Sequence, residues 1–262
     1  TGEGKLSHKL AKMSKDLNIP LWVDYHKRFD VSNQKIKKIL FDNKYRLLKL
    51  YSVQYSQPQI IPTTDIVTWA KNVNVFQYIG CHYVDQIFYH FPNAKPVRVS
   101  ATGIPGQLVK NNGPEFDIIH AIIDFKIEET HNLRTDFTVG WSDPNGASGK
   151  SHQRLDLQFE NGRIIADQKV RGFQSWDHTK ITESNPYFFE FLLDKNNEII
   201  CSGYGYESIE KFIGICDNQD WQNYRYPWAS STFQTDFVLD AVNESLKENG
   251  AWVSIKDVDS LG

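Results

Sequence analysis

The chain has 262 residues, 40% of them hydrophobic, and a formal net charge of −3 at pH 7, a balance typical of one large or two small globular domains. This charge argues against general attraction to nucleic acid or to an anionic membrane, and no apolar run reaches the roughly 18–20 residues that cross a bilayer. Three widely spaced cysteines argue against a disulfide framework or a zinc site and favour a reduced, cytoplasmic compartment.

The first ninety residues predict helices that alternate with strands. The expected elements are a helix over 5–17, a strand over 21–29, a helix over 30–43 and a strand over 45–56. Ser32 is a plausible N-cap for the second helix. Residues 57–74 contain two prolines and suit a long surface loop. A third helix is expected over 79–91, ending at Pro92.

From Pro96 onwards the sequence predicts several strands joined by short turns, and then two helices with a short strand after them. The segment "ENGR" (160–163) indicates a hairpin, because Asn-Gly accepts the positive φ angles of a type I′ turn. The fold class is therefore α+β, with a large, mostly antiparallel open sheet and helices on one face. The strand "FDIIHAIIDF" carries apolar residues on both sides, so we expect the other face to be covered by self-association, as a homodimer or homotetramer.

Other polar clusters have ordinary structural interpretations. In "VRGFQSWDH" (170–178), Arg171 and Trp176 could contact a sugar or an acidic group from a loop, although a solvated loop is the more common arrangement. The Gly-rich "SDPNGASGK" (142–150) lacks the spacing of a phosphate-binding loop and predicts a turn. His26 and Lys27 flank Arg28 on a predicted strand end, where they would be surface residues. The histidines are scattered, so no metal site is expected.

His82 is the strongest candidate for chemistry. It lies near the predicted start of an apolar helix, with Gly80 two residues before it and Asp85 one turn after it. The positive end of the helix dipole would lower the pKa of this imidazole and keep it able to accept a proton. Gly80 would leave space for a ligand. The structural alternatives are a buried histidine satisfied by a backbone carbonyl and an Asp85 paired with a nearby arginine.

Four segments, taken in order, resemble the Gfo/Idh/MocA family of oxidoreductases, named for glucose–fructose oxidoreductase and inositol dehydrogenase. "VDYHKRFD" (23–30) is similar to a family strand that ends in Arg-Phe. "YIGCHYVDQIFYHF" (78–91) resembles the family's D-x-x-x-H and H-x-x-D helix. "KPVRVSATG" (95–103) and "HQRLDLQFENGRIIAD" (152–167) resemble the following strand and hairpin. Each motif is weak alone, and the ordered set is moderately specific.

Two family features are missing from the chain: a Gly-rich G-x-G-x-x-G turn after a strand, and the Glu-Lys-Pro motif that carries the family's lysine. The resemblance therefore implies that the chain begins just after that motif. Residues 1–30 would be a remnant of the nucleotide-binding domain, and 31–262 would form the substrate-binding and oligomerisation domain. The intact protein would use NAD or NADP, which this chain alone should not bind tightly.

By the same resemblance, His82 takes the proton-transfer position and the substrate is a sugar, a sugar derivative or a polyol. Tyr78, Asp85, Arg171 and Trp176 would contact the substrate, and Arg28 would lie on the cofactor side. The family usually has Asp where this chain has Tyr78, and a phenol cannot supply the charge of a carboxylate. That departure favours the alternative of a non-catalytic sugar-binding or scaffolding protein that retains the fold.

Overall fold

A computed structural model describes most of the chain. The described residues are 3–111, 113–129, 131–147, 149–167, 173–176, 181–184, 187–218 and 232–256. Within them no helix has the length and apolar character that a membrane span requires.

Seven α-helices are described. They are α1 Gly4–Asp16, α2 Val31–Phe41, α3 Val67–Ala70, α4 Cys81–His90, α5 Gln107–Lys110, α6 Tyr204–Asn218 and α7 Gln234–Lys247. Three short helical turns accompany them: a 3₁₀ turn at His26–Arg28 and π turns at Ile61–Asp65 and Phe76–Gly80.

Eleven strands are described. They are β1 Leu48–Pro58, β2 Lys95–Ile104, β3 Ile118–Glu128, β4 His131–Asp143, β5 His152–Phe159, β6 Arg163–Asp167, β7 Phe173–Trp176, β8 Ile181–Ser184, β9 Glu190–Leu193, β10 Ile199–Ser202 and β11 Val253–Ser254. Seven of them form one sheet in the order β11-β2-β3-β4-β1-β5-β6, and two hairpins, β7–β8 and β9–β10, lie outside it.

The sheet is mostly antiparallel, which confirms the predicted fold class. Only β1 and β4 pair in parallel, with Tyr51 opposite Thr135, and the other neighbours within the sheet pair antiparallel. Because β-strand side chains alternate between faces, one face of the sheet carries the core. Val53, Phe137 and Ile123 lie on that face with almost no exposure, and each contributes about 1.5–3 kcal/mol by burial. Helices α4 and α7 cover this face.

The outer face of the sheet is more polar than the sequence of β3 suggested. Ile122 is 38% exposed there, but Asp124 on the same strand receives hydrogen bonds from Arg98 of β2 and Arg134 of β4, each with an Nε–Oδ distance of 2.8 Å. The outer face of the sheet is therefore mixed, although β3 itself carries apolar residues on both sides. Its neighbours supply charged and hydroxyl side chains to the outer face.

Several local predictions need correction around residues 21–34. Residues 21–29 do not form a regular strand, because the chain turns at His26–Arg28 to direct two cationic side chains inward. The N-cap of α2 is Asp30, not Ser32: the Asp30 carboxylate accepts a hydrogen bond of 2.9 Å from the Ser32 backbone N–H.

Residues 57–74 hold short helical turns and α3 instead of one irregular loop.

The hairpin at 160–163 is present between β5 and β6, but its turn is not of type I′. Neither Asn161 nor Gly162 has a positive φ. A Cβ at Gly162 would lie 2.3 Å from the Tyr45 ring, so glycine is required there by packing. The Asn161 side chain accepts a hydrogen bond of 2.7 Å from the Arg46 backbone N–H and ties the turn to the start of β1.

His90, at the end of α4, is buried as a neutral ring. Burial lowers its pKa to about 3, although a contact with the Asn33 carbonyl acts in the opposite direction. Its two nitrogens lie 3.4 Å from the Tyr51 hydroxyl and from the Asn33 carbonyl oxygen. The unfolded chain would bind a proton at this histidine near pH 6.5, whereas the folded chain would not.

This burial predicts a specific loss of stability in mild acid. Because the folded pKa is depressed, the stabilisation is lost as pH falls below the unfolded value. Between pH 7 and 5.5 the wild type should lose about 1.2 kcal/mol more unfolding free energy than His90→Gln. Urea denaturation at several pH values measures this difference. His120→Gln, on the exposed outer face, is the control, and equal pH slopes for wild type and His90→Gln would contradict the prediction.

Candidate active site

His82 lies one turn inside a longer helical run, not at a free helix start. The π turn Phe76–Gly80 continues directly into α4, and the backbone of both Val75 and Gly80 is right-handed helical. The helix dipole therefore acts only weakly on His82, since its effect falls off within the first turn. The space beside Gly80 is also not free for a ligand: a Cβ there would lie 2.9 Å from the Phe76 ring.

The His82 ring is nonetheless held in the neutral form. Burial lowers its pKa well below the usual value, and His26 and Lys27 add to the shift. The ring packs edge-on against Tyr25, with 5.8 Å between centroids. Its Nδ1 atom is buried without a hydrogen-bond partner, while the residue as a whole stays partly exposed. This leaves Nε2 as the nitrogen that can meet a ligand.

His26 is the nearest ring to His82, with 4.7 Å between centroids. It also stacks on Tyr204 of α6 at 5.7 Å and contacts Phe188 at 5.3 Å. Its Nδ1 lies 3.7 Å from an oxygen of Asp24. The 3₁₀ turn brings His26 to this position, which a straight strand would not have done.

Lys27 is 1% exposed and points into the protein. Its ammonium lies 5.2 Å from the ring centroids of Tyr55 and Tyr83, a cation–π arrangement, and it donates a hydrogen bond to the side-chain oxygen of Gln153. Gln153 in turn donates to the Ser151 hydroxyl at 3.0 Å. A buried positive charge therefore faces the same region as His82 and disfavours protonation of that ring.

Arg28 and Asp85 form a buried ion pair. Nε and Nη2 of Arg28 donate to the two carboxylate oxygens at 2.8 and 2.5 Å, and the side chains are 9% and 0% exposed. Burial raises the pKa of Asp85, and the Arg28 fork opposes that rise. The geometry fits a structural role for both residues. Direct contacts of Asp85 with substrate and of Arg28 with cofactor remain predictions.

Tyr78 precedes His82 by one turn, but its ring contacts lie towards the sheet. Its centroid is 5.6 Å from that of Trp69 and 5.6 Å from that of Trp141. Trp141 is fully buried and donates a hydrogen bond of 3.1 Å to Gln57. The ring therefore packs against two tryptophans while the residue stays partly exposed, and no ring contact between it and His82 is found among the described residues.

The remaining predicted site residues are not tested. Arg171 lies outside the described residues. Trp176 belongs to β7, so the expectation of a loop at this position is wrong for the backbone of 173–176. Among the described residues no group of three or more His, Cys, Asp or Glu side chains is placed to hold a metal ion.

Sequence reasoning passed over three important side chains. His26 and Lys27 were taken for surface residues, and Tyr204 was not considered. The 3₁₀ turn at 26–28 changes which side chains point inward. The alternation of apolar and polar residues that indicates a strand cannot predict such a turn. The only available signal was the adjacency of two titratable residues to the Arg-Phe pair.

Three clefts in the described part of the chain are lined by residues other than His82. The first, of about 350 Å³, lies on the outer sheet face around Gln54, Thr138 and Arg154. The second, of about 680 Å³, is bordered by acidic side chains of α7, and the third, of about 470 Å³, lies between β10 and α6.

Comparisons with known proteins identify the fold. The chain superposes on a scyllo-inositol dehydrogenase from Lactobacillus casei, solved with NAD(H) and scyllo-inositol, with a TM-score of 0.66 and 16% identity over 97% of this chain and 70% of that one. A putative myo-inositol dehydrogenase from Sinorhizobium meliloti 1021 gives 0.70 and 17% over 98% and 71%. GenD2 of gentamicin A biosynthesis, solved with NAD, gives 0.72 and 14% over 97% and 69%.

The chain therefore shares its fold with these solved dehydrogenases. No protein-family model matches the chain, and no curated protein matches its sequence. The structural match takes in nearly the whole chain, so our interpretation of the chain as only the C-terminal domain of such an oxidoreductase is corrected in that respect. About 30% of each solved chain lies outside the match. The assignment of residues 1–30 to a nucleotide-binding domain stays a prediction.

Breaking the buried ion pair should be costly. Asp85→Asn leaves the Arg28 charge buried without its partner, which destabilises a protein by about 3–5 kcal/mol. The matched control is Asp42→Asn, whose partner Lys38 is 74% exposed and whose loss should cost less than about 1 kcal/mol. Urea denaturation of both variants measures the costs. Equal effects would rule out a structural role for the Arg28–Asp85 pair.

Proposed function

We propose that this chain forms the substrate-binding and oligomerisation part of an NAD(P)-dependent oxidoreductase that acts on a hydroxyl of a sugar, a sugar derivative or a polyol. The main support is His82: a partly exposed imidazole, kept neutral by burial and by two neighbouring cationic-type side chains. Oxidation of an alcohol removes a hydroxyl proton, and a neutral histidine is a suited acceptor. The inositol dehydrogenases with this fold support the same reaction class.

We assign a part in this chemistry to four of the described residues. His82 would accept the hydroxyl proton at Nε2. The rings of Phe188 and Tyr204 lie close by, around His26, and would limit access of water from that side. Lys27 would keep His82 unprotonated before the substrate arrives. The substrate would lie against the exposed edge of His82.

The described residues do not fit a dinucleotide. Their large sheet has a single parallel strand pair, β1–β4, and within them no G-x-G-x-x-G turn leads from a strand into a helix to hold a pyrophosphate; Gly203 and Gly205, between β10 and α6, are followed by Ser208 at the third position. NAD or NADP remains our proposal as the hydride acceptor of the intact protein, held by other parts of it. A cytoplasmic location likewise remains a prediction.

Removal of the His82 imidazole tests the enzymatic proposal. In a protein that joins this chain to a nucleotide-binding domain, His82→Ala should lower kcat for polyol oxidation by about 10²–10⁴-fold, the usual contribution of general acid–base catalysis. Absorbance of reduced nicotinamide at 340 nm measures turnover with a panel of inositols and sugars. His120→Gln is the control for a remote histidine. Unchanged turnover in His82→Ala would exclude the proposed role.

A non-catalytic sugar-binding protein is the second candidate, and the packing of Tyr78 against Trp69 and Trp141 favours it. Because position 78 is a tyrosine packed on two tryptophans, no carboxylate lies one turn before His82. Calorimetry on this chain distinguishes the candidates when it is combined with the turnover assay. Binding of myo-inositol without turnover in the joined protein would favour a binding protein, and micromolar NAD binding by this chain alone would contradict our account of the cofactor.

Self-association through the outer sheet face is also proposed. Ile122 is 38% exposed there, and Trp252 is 44% exposed with the Arg98 and Arg134 guanidiniums 4.4 and 5.5 Å from its ring. Exposed apolar and Arg–aromatic surface of this kind is typical of protein interfaces.

Ile122→Glu should therefore shift a dimer or tetramer towards the monomer in sedimentation velocity, because a carboxylate would be buried in the interface. Ile209→Glu, at an exposed position of α6, is the control and should leave the assembly unchanged. A wild-type chain that stays monomeric at high micromolar concentration would contradict self-association altogether.

A further inference from the structure

Gln86 of α4 is a fully buried glutamine whose side-chain amide has no hydrogen-bond partner among the described residues. The residue is 0% exposed, and both Oε1 and Nε2 are unpartnered. Buried polar atoms of this kind are nearly always satisfied, either by protein or by an ordered water molecule with about two to four polar neighbours. Gln86 therefore marks a polar site inside the fold.

His82 Nδ1 belongs to the same site. Of the four buried side-chain nitrogen and oxygen atoms without a partner in the described part of the chain, three come from Gln86 and His82. Both residues lie in α4, Cys81–His90, and residues four apart on an α-helix are neighbours, with about 5–6 Å between their Cβ atoms. Because helix side chains lean towards the N-terminus, Gln86 extends towards the turn that carries His82.

The other groups near His82 are less suited to accept a hydrogen bond from Nδ1. The rings of Tyr25 and His26 pack against the imidazole, with 5.8 and 4.7 Å between centroids. Both carboxylate oxygens of Asp85 are held by a buried arginine. The fourth unpartnered atom, Thr235 Oγ1 of α7, lies beside the Tyr25 phenol. The amide one turn along α4 is therefore the unengaged acceptor on the same helix face.

We propose that Gln86 is a positioning residue that fixes the tautomer of His82 through one buried water. The water accepts a hydrogen bond from Nδ1–H and donates one to Gln86 Oε1. Because the hydrogen bond of one ring nitrogen sets the state of the other, Nε2 then carries the lone pair. This role rests on the proposed function, since it concerns the ring that takes the substrate proton. When Nε2 gains that proton, Nδ1–H keeps the same acceptor.

Side-chain ¹H–¹⁵N NMR of the chain in mildly alkaline solution tests the tautomer without substrate or cofactor. In the wild type, neutral His82 should carry its proton on Nδ1. Gln86→Met keeps the length of the side chain and removes the amide, so Nε2–H should become the major form, as it is for a free imidazole in water. Thr235→Val removes the other unpartnered oxygen and is the matched control, in which the Nδ1–H form should persist.

A high-resolution crystal structure of the wild type tests the water directly. One ordered water should lie within about 3.2 Å of both His82 Nδ1 and the Gln86 amide. Gln86→Leu is a second variant with the same expected tautomer. The inference is overturned by a wild-type ring in the Nε2–H form, by an Nδ1–H form that persists in both Gln86 variants, or by a site without that water.

The kinetic arm separates this inference from the proposed function. In an active joined protein, Gln86→Met should lower kcat by about 10–100-fold with little change in KM, the cost seen when a partner that orients a metal-bound histidine is lost. A tautomer change in Gln86→Met combined with full activity of His82→Ala would sink the proposed function and leave the pairing of Gln86 with His82 in place. Unchanged kcat in Gln86→Met, in an enzyme that needs His82, would overturn the positioning role.

Discussion

The buried contact between Arg28 and Asp85 determines how the site is assembled. It ties the turn that precedes α2 to the first half of α4, with both nitrogens of the arginine fork on both carboxylate oxygens. Because Arg28 must point inward to reach Asp85, the backbone turns at His26–Arg28. Lys27 and His26 are then placed beside Gln153 and His82. One ion pair therefore fixes three consecutive side chains.

Burial then gives these side chains their chemical character. A histidine in water would be partly protonated near neutral pH, whereas burial and two cationic-type neighbours keep His82 neutral. Burial acts on the neighbouring thiol as well and raises the pKa of Cys81 to about 12. The same helix ends in His90, whose ring is also neutral but is closed in by Tyr51 and Asn33. The partial exposure of His82 separates a candidate catalytic ring from a structural one.

The large elements were predictable from sequence, and the turns were not. Alternation in β1, β3 and β5 and the apolar stripes of α1, α6 and α7 are long, regular signals, so the fold class followed from them. The 3₁₀ turn at 26–28 is three residues long and is set by the distant partners Asp85 and Gln153, which no local pattern contains. The outer sheet face was misjudged for a related reason: Arg98 and Arg134 reach Asp124 from neighbouring strands.

At position 78 the chain keeps the shared fold but has a different residue type from the Asp that the resemblance leads one to expect. The fold is shared with inositol dehydrogenases over nearly the whole chain at 16–17% identity, a level at which the backbone is kept while site residues are free to change. Tyr78 packs into a cluster with Trp69 and Trp141, so this position now contributes to packing and supplies no charge near His82. A proton-accepting role for His82 then requires another source of orientation and charge.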